Sequence, residues 1–213
     1  MNSAILSGVI ISSPQIRYTS DNKAISEFLL AFQDASKSAV SKQIKCLGFG
    51  GKLAESIGQL KEGQAAILVG SINITNRENN GVKTKVTEFK ISALDVVPSA
   101  GNINSVRAVG RTGRVVYKSG NKCSVSLAVR RTADQTDWFD LEAWNRTGEV
   151  MSNYVQKGGL ISVEGSLRFD EWSDKNTGEL RSKPVILVSQ LELLGMGSKK
   201  RTGGFLENLL TDI

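Results

Sequence analysis

Ile67-Leu68-Val69-Gly70-Ser71-Ile72 and Ser162-Val163-Glu164-Gly165-Ser166-Leu167 are two versions of one short motif, and they lie 95 residues apart in the chain. A lysine and a glycine stand shortly before each of them, in Lys61-Glu62-Gly63 and in Gln156-Lys157-Gly158. Similarity at a fixed offset identifies a duplicated unit before any helix or strand has been assigned. The motif therefore predicts that this chain of 213 residues contains an internal repeat.

Further matches extend the repeat in both directions. Residues 28–31 match 125–128, and residues 91–97 match 188–194, both with an offset of 97. A change of two residues in the offset fits a difference in loop length between two copies of one domain. We therefore expect a first domain at residues 1–98, a linker at 99–104, a second domain at 105–195, and a flexible C-terminal tail at 196–213.

Within each repeat the apolar residues alternate or form short blocks, which is typical of β-strands. The predicted strands span 4–11, 24–32, 43–49, 64–76 and 83–96 in the first repeat, and 105–115, 122–129, 138–144, 159–171 and 182–193 in the second. One short helix is predicted in each repeat, at 52–60 and at 147–155. Five strands with a helix between the third and the fourth is the order of the Greek-key OB barrel. The predicted fold is all-β, with two tandem five-stranded OB barrels; a generic small β-barrel is the alternative.

Composition argues against catalysis. The chain has no histidine, which excludes nucleophile–histidine catalysis and imidazole metal sites. Its two cysteines, Cys46 and Cys123, are too far apart for a metal-binding or redox pair. No glycine-rich phosphate loop or nucleophile elbow is present. We expect a protein that is not an enzyme and has neither a metal nor a cofactor.

Charge and hydropathy suggest a partner and a compartment. The chain has 27 basic and 21 acidic residues, a net charge of +6, and this sign favours a phosphate backbone mildly over an anionic membrane or an acidic protein. It lacks an apolar run of roughly 18 residues and an N-terminal signal pattern. We therefore expect a cytosol-like location.

The three tryptophans all fall in the second repeat. Trp138 and Trp144 have the same strand parity, so both rings can project from one face of a strand. Trp172 ends the next predicted strand, in a polar stretch. In an OB-fold such rings can stack on bases while Lys and Arg side chains contact phosphates, or they can be core residues.

The sequence Thr136-Asp137-Trp138-Phe139-Asp140-Leu141, then Trp144, then residues 163–174, resembles the bacterial single-stranded DNA-binding protein family. The typical sequence pattern of the family is T-E-W-x-x-V, then an aromatic residue, and then V-E-G-x-L-x-x-x-x-W-x-D. This resemblance implies single-stranded DNA binding, with bases stacked on Trp138, Trp144 and Trp172. The basic residues expected to assist in the second barrel are Arg107, Arg130, Arg131 and Arg168. The family has a further tryptophan in the connection between the second and third strands. It has no match here, because the corresponding segment, residues 130–135, is short and contains no aromatic residue.

The first repeat resembles the same family more weakly, through residues 14–18 and 49–55. At the position that matches Trp138 the first repeat has a polar residue near Lys42, and at the position that matches Trp172 it has Arg77. Of the three matching positions, only Phe49 remains aromatic. We therefore expect the second barrel to carry most of the binding, with Phe49 as a further contact.

The whole chain is similar to the group called thylakoid-associated single-stranded DNA-binding proteins. That similarity implies association with thylakoids or the plastid stroma as an alternative to the cytoplasmic nucleoid. Family members place four barrels in one assembly, so two barrels per chain imply a homodimer.

The end of the chain has apolar residues at helical spacing, which would form one face of a short helix. Eight or nine residues do not hold a helix alone in water, so we expect this segment to be ordered against a protein partner; packing on its own barrel or fraying is the alternative. The residues concerned are Phe205, Leu206, Leu209, Leu210 and Ile213.

Two other functions are compatible with the sequence. One is an OB-fold adaptor or structural subunit of a larger complex, peripherally associated with a membrane. The other is RNA binding, because aromatic stacking does not distinguish the two sugars.

Overall fold

The computed structural model describes residues 1–35, 41–79, 82–173, 178 and 180–195. This part of the chain contains eleven strands and two short helices. In chain order they are β1 (Asn2–Ile10), β2 (Gln15–Tyr18), β3 (Ala24–Gln33), β4 (Ser41–Phe49), α1 (Gly51–Gly58), β5 (Ala65–Asn79), β6 (Val82–Val97), β7 (Asn104–Ser119), β8 (Lys122–Arg130), β9 (Thr136–Trp144), α2 (Asn145–Tyr154), β10 (Leu160–Ser173) and β11 (Leu180–Gly195). Among the described residues no helix is long and apolar enough to cross a membrane.

The strands close two barrels with the same topology. In the second repeat β7 pairs with β8, β8 with β9, β9 in parallel with β11, β11 with β10, and β10 with β7. The first repeat repeats this circuit with β1, β3, β4, β6 and β5, and the β4–β6 pair is again the parallel one. The helices α1 and α2 lie between the third and fourth strands of these circuits. The predicted pair of OB barrels is confirmed.

The sequence did not predict β2, which pairs antiparallel with β3. In the second repeat the single strand β7 continues along β8 to Ser119, whereas in the first repeat the corresponding chain is divided into β1 and β2. Ser12, Ser13 and Pro14 separate these two segments. Proline has no N–H to donate to a strand ladder, so it interrupts the strand at this point.

Each barrel is filled by the alternating apolar side chains that the pattern predicted. In β8, for example, Cys123, Val125, Leu127 and Val129 are buried, and the residues between them are only partly buried. Cys46 is also buried, and its burial raises the pKa of the thiol. Both cysteines are therefore buried core residues that form no disulfide.

The two barrels are joined by pairing between β1 and β7, in which Asn2–Leu6 lie against Ala108–Asn104. This pairing creates a continuous antiparallel sheet of six strands in the order β6-β5-β1-β7-β10-β11. In the segment between the repeats, the backbone N–H of Ile103 donates to the Ser7 hydroxyl at 2.8 Å, and Ser7 N–H donates back to the Ile103 carbonyl. The connection is therefore packed against β1.

The distal half of β5 (from Ile72) and that of β10 (from Leu167), which we call the arms, contact the opposite repeat. The arm of β10 packs on the first barrel, where the Phe169 N–H donates to Asp34 and its ring lies 6.2 Å from that of Phe32. The arm of β5 packs on the second barrel, where the Ile74 N–H donates to Asp137 at 2.9 Å. Each arm thus stabilises the other copy.

The repeated glycines Gly70 and Gly165 permit the bulges that bend the fourth strand of each barrel. The pairing register shifts at each of them, and a Cβ atom at Gly165 would overlap the carbonyl oxygen of Leu187. We expect Gly165→Ala to lower the free energy of unfolding by about 1–3 kcal/mol, because the overlap must be relieved by backbone movement. Urea denaturation measures this value. Gly51→Ala is the control, since its Cβ would meet only the Glu55 side chain at 3.8 Å; a loss of the same size there would contradict the explanation.

Candidate nucleic-acid interface

All three tryptophans lie on the outside of the second barrel. Trp138 is 51% exposed, and Trp144 and Trp172 are each 44% exposed. In β9 the residues Phe139, Leu141 and Ala143 point into the core, so alternation turns both ends of the strand outwards. None of the three rings is a core residue, which removes the structural alternative left open by the sequence.

The Trp138 ring reaches across β8 to Gly113 of strand β7. A Cβ atom on Gly113 would come within 3.0 Å of the ring atom Cζ3, so the absence of a side chain leaves room for the indole. One part of the ring is supported by the barrel, and the rest faces solvent. This is the arrangement that a stacking platform requires.

Trp144 is held at its edge and on one face. Its indole Nε1–H donates to Glu142 Oε1 at 2.8 Å, and Lys122 Nζ lies 5.1 Å from the ring centroid. The lysine ammonium also pairs with Glu142 Oε2 at 2.7 Å. The ring is therefore fixed by a hydrogen bond and a cation–π contact while 44% of the residue stays exposed.

Glu142 is the centre of this cluster. Arg168 donates to both oxygens of the Glu142 carboxylate, at 2.9 and 3.0 Å, and its Nε donates to Asp170. Burial raises the pKa of Glu142, but the hydrogen bonds from Arg168, Lys122 and Trp144 outweigh burial and lower it to about 2. The same contacts raise the pKa of Arg168 above its ordinary value. The carboxylate stays ionised at neutral pH and pairs with both Lys122 and Arg168.

A groove borders this cluster, and its three carboxylates are matched by its two lysines together with Arg168 of the cluster. Its walls include Lys122, Asp140, Glu142, Asp170 and Lys183, and Lys183 pairs with Asp140 at 2.8 Å. The sequence pattern did not predict a role for these carboxylates. Strand parity could have indicated them, because positions 140 and 142 lie between two outward-facing tryptophans. The described residues hold no group of three or more His, Cys, Asp or Glu that could bind a metal ion.

The four predicted arginines lie in different surroundings. Arg131 contacts Asp137 through Nε at 2.9 Å and through Nη2 at 2.6 Å, and Nη2 also donates to the Ile74 carbonyl. Arg131 is therefore part of the contact between the second barrel and the first arm. Arg168 belongs to the Glu142 cluster. Phosphate contact by either residue stays a prediction, and each also has a structural partner.

Arg107 and Arg130 are more exposed. Arg107 forms an ion pair with Glu164 on the outer face of the six-stranded sheet. Arg107 lies on β7, a strand that carries none of the tryptophans. Arg130 donates to the carbonyl oxygens of Thr132 and Ala133 in the loop that precedes β9. Carbonyl acceptors do not neutralise a guanidinium, so Arg130 keeps its charge close to Trp138.

The first repeat differs at the corresponding places. Phe49, which matches Trp144, is 42% exposed, and Lys90 Nζ lies 5.0 Å from its ring centroid. Lys42 donates to Glu171 of the opposite repeat at 2.7 Å, next to Trp172. The apolar residues of the predicted partner-binding tail, from Phe205 to Ile213, lie outside the described residues.

Comparison with known proteins assigns the chain to a family. The model of the single-strand binding protein family matches residues 1–97 and again residues 103–194. The chain belongs to the single-strand binding protein family. Both barrels are thus members, and the prediction of a binding protein rather than an enzyme is confirmed.

Individual members resemble half of the chain closely. A protein of a Nostoc strain named single-stranded DNA-binding protein 1 is 53% identical over 110 residues, which cover 48% of this chain and 92% of the relative. The Synechocystis protein of the same name is 52% identical over 103 residues, covering 44% of this chain and 85% of the relative. The crystal structure of the wild-type single-stranded DNA binding protein from Thermus aquaticus superimposes with a TM-score of 0.72 at 25% identity, covering 93% of this chain and 95% of the other. That structure matches both barrels together.

Proposed function

We propose that this protein binds single-stranded DNA without catalysing a reaction, and that the second barrel, residues 105–195, carries most of the affinity. The observation that supports the proposal is the exposure of Trp138, Trp144 and Trp172 on the barrel surface of a family member. Bases would stack on these rings, and exposed cations such as Arg130 would contact the phosphates. DNA replication and repair are the general settings in which the family acts.

The proposal is tested by titrating the protein with a thymidine oligonucleotide while its tryptophan fluorescence is recorded. Stacking should quench the emission, and the logarithm of the affinity should fall linearly with the logarithm of the salt concentration. A uridine oligonucleotide of the same length decides between DNA and RNA. Absence of quenching at low salt would contradict the proposal and favour the adaptor role. The three exposed rings argue against that role.

The balanced charges of the groove bear on this titration. Lys122, Arg168 and Lys183 already contact carboxylates, so phosphates must compete with Glu142, Asp170 and Asp140 for them. Stacking should therefore contribute a larger share of the affinity than counterion release. A shallow salt dependence is the expected result.

We also propose that two chains form a homodimer through the outer face of the six-stranded sheet. Ile5 and Val69 are directly paired on this face and are each 39% exposed, and Val9, four residues farther along β1, is 36% exposed. A flat face with exposed apolar side chains is suited to a second copy of itself. Arg107 lies on the same face and is neutralised by Glu164, so we assign it to this interface rather than to DNA.

The dimer proposal predicts a mass of about twice 23.0 kDa in sedimentation experiments. Placing two charges in the apolar patch by Ile5→Lys and Val69→Lys should shift the protein to monomers, because unpaired charges are costly to bury. Tyr154→Lys is the control, since Tyr154 is 61% exposed at the end of α2. A wild-type monomer, or a dimer unaffected by the double substitution, would contradict the assignment of this face.

Three remaining predictions concern the tail and the location. We propose that Phe205–Ile213 binds a protein partner, so deleting residues 205–213 should leave strand affinity unchanged.

The cyanobacterial origin of the relatives supports a cytoplasmic protein associated with the nucleoid. Association with thylakoids, with the plastid stroma or with a membrane complex remains a prediction from family resemblance.

A further inference from the structure

Glu142 is a costly residue at its position. Its side chain is only 6% exposed, and taking a carboxylate out of water must be offset by several donors. At the matching position the first barrel has Leu47, which is buried in the same way. Because the same barrel closes with a leucine there, the OB-fold does not require the carboxylate. Its presence in the second repeat calls for an explanation other than folding.

The contacts of Glu142 converge on one aromatic ring. The carboxylate accepts the indole N–H of Trp144, and it holds Lys122 above the same ring. Arg168 fills the remaining acceptor positions of the carboxylate from the arm strand β10 and so fixes the carboxylate itself. The edge and one face of the indole are therefore contacted by groups that Glu142 positions, while 44% of the residue stays exposed to a ligand.

We propose that Glu142 is a positioning residue, which holds the Trp144 ring ready to receive a base. The inference rests on the proposed single-strand binding and adds a specific role for a carboxylate within a site that binds a polyanion. A ring that is already ordered loses less conformational entropy when a base stacks on it. The negative charge of Glu142 repels phosphate, yet its removal would loosen the platform.

The test compares Glu142→Gln with Asp140→Asn, which makes the same change in charge one side chain away. Asp140 pairs with Lys183 in the same groove, so this variant reports the effect of charge alone. We expect Glu142→Gln to bind a labelled thymidine oligonucleotide about 2- to 10-fold more weakly than Asp140→Asn, as expected for one side chain that must be ordered on binding. Equal affinities of the two variants would overturn the proposal.

A second readout does not depend on DNA. In a background with Trp138→Phe and Trp172→Phe, Trp144 is the sole tryptophan of the chain. Its time-resolved fluorescence anisotropy should show faster local motion in Glu142→Gln than in Asp140→Asn. Unchanged motion would overturn the positioning role. The two proposals can fail separately. If the protein binds no oligonucleotide but the two variants still differ in ring motion, the proposed function is wrong, whereas the ordering of the Trp144 ring by Glu142 is established.

A third variant separates positioning from a folding defect. Trp144→Ala removes the ring, and with it both the N–H donor and the aromatic face that Lys122 covers. In this background, adding Glu142→Gln should change the affinity no more than adding Asp140→Asn does. A further loss of affinity would mean that Glu142 acts through the barrel rather than through the Trp144 ring, and the proposal would be wrong.

Discussion

Replacing Trp138 and Trp172 together with alanine is expected to weaken binding of a thymidine oligonucleotide by roughly two to four orders of magnitude. A base stacked on an aromatic ring contributes about 1–3 kcal/mol, and each 1.4 kcal/mol changes the dissociation constant about tenfold. Both rings are half exposed, so their removal leaves no cavity in the core. Fluorescence anisotropy of a labelled oligonucleotide at one fixed salt concentration measures the effect.

The control for this experiment is Tyr154→Ala, which removes an exposed ring at the end of α2. It should leave the affinity unchanged. Urea denaturation should show similar stability for the double variant and the wild type. A folded double variant that binds within about threefold of wild type would contradict stacking on these rings as the source of affinity.

Asp137→Ala is expected to be the most destabilising single substitution considered for this protein. The carboxylate is 1% exposed, and it receives Arg131 from its own repeat and the Ile74 N–H from the other. Its removal leaves the Ile74 N–H without an acceptor and the partly exposed Arg131 without its carboxylate, which should cost about 2–4 kcal/mol. The free energy of unfolding, measured in urea, should fall by an amount in this range.

The matched control is Asp140→Asn, three residues along the same strand. Its partner Lys183 and the aspartate itself are both more than two-fifths exposed, so this ion pair should contribute only about 0–1 kcal/mol. The contact made by Asp137 also joins the two repeats. Because β1–β7 pairing and the β10 arm also join the repeats, both repeats should unfold in one transition in the wild type and in Asp137→Ala. Equal losses for the two aspartate variants would contradict the account.

The sequence predicted the architecture because the decisive signals are local and occur twice. Strand alternation placed Trp138 and Trp144 on one outward face, and the repeated motif around Gly70 and Gly165 located the fourth strand of each barrel. It did not predict β2, because Ser12-Ser13-Pro14 breaks the alternation just where the strand divides.

The partners of the arginines could not be predicted in the same way. Arg131 and Asp137 are six positions apart, but the third member of their contact is the backbone of Ile74 in the other repeat. Likewise, Lys42 contacts Glu171 across 129 residues of sequence. Such contacts follow from how the arms cross between barrels, and no local pattern encodes that crossing. Sequence therefore identified which residues are charged and not which charges are neutralised.

The proposed function assigns most of the binding to the second barrel, and one pair of variants separates the contributions of the two barrels. Trp172 and Arg77 stand at corresponding positions of the two arms, 95 residues apart. Trp172→Ala and Arg77→Ala are compared in titrations with a labelled thymidine oligonucleotide across a series of salt concentrations. We predict that Trp172→Ala weakens binding about 5- to 100-fold at every salt concentration. Arg77→Ala should stay within about threefold of wild type and lower the salt slope by no more than about 1. Equal losses of affinity for the two variants would contradict this assignment.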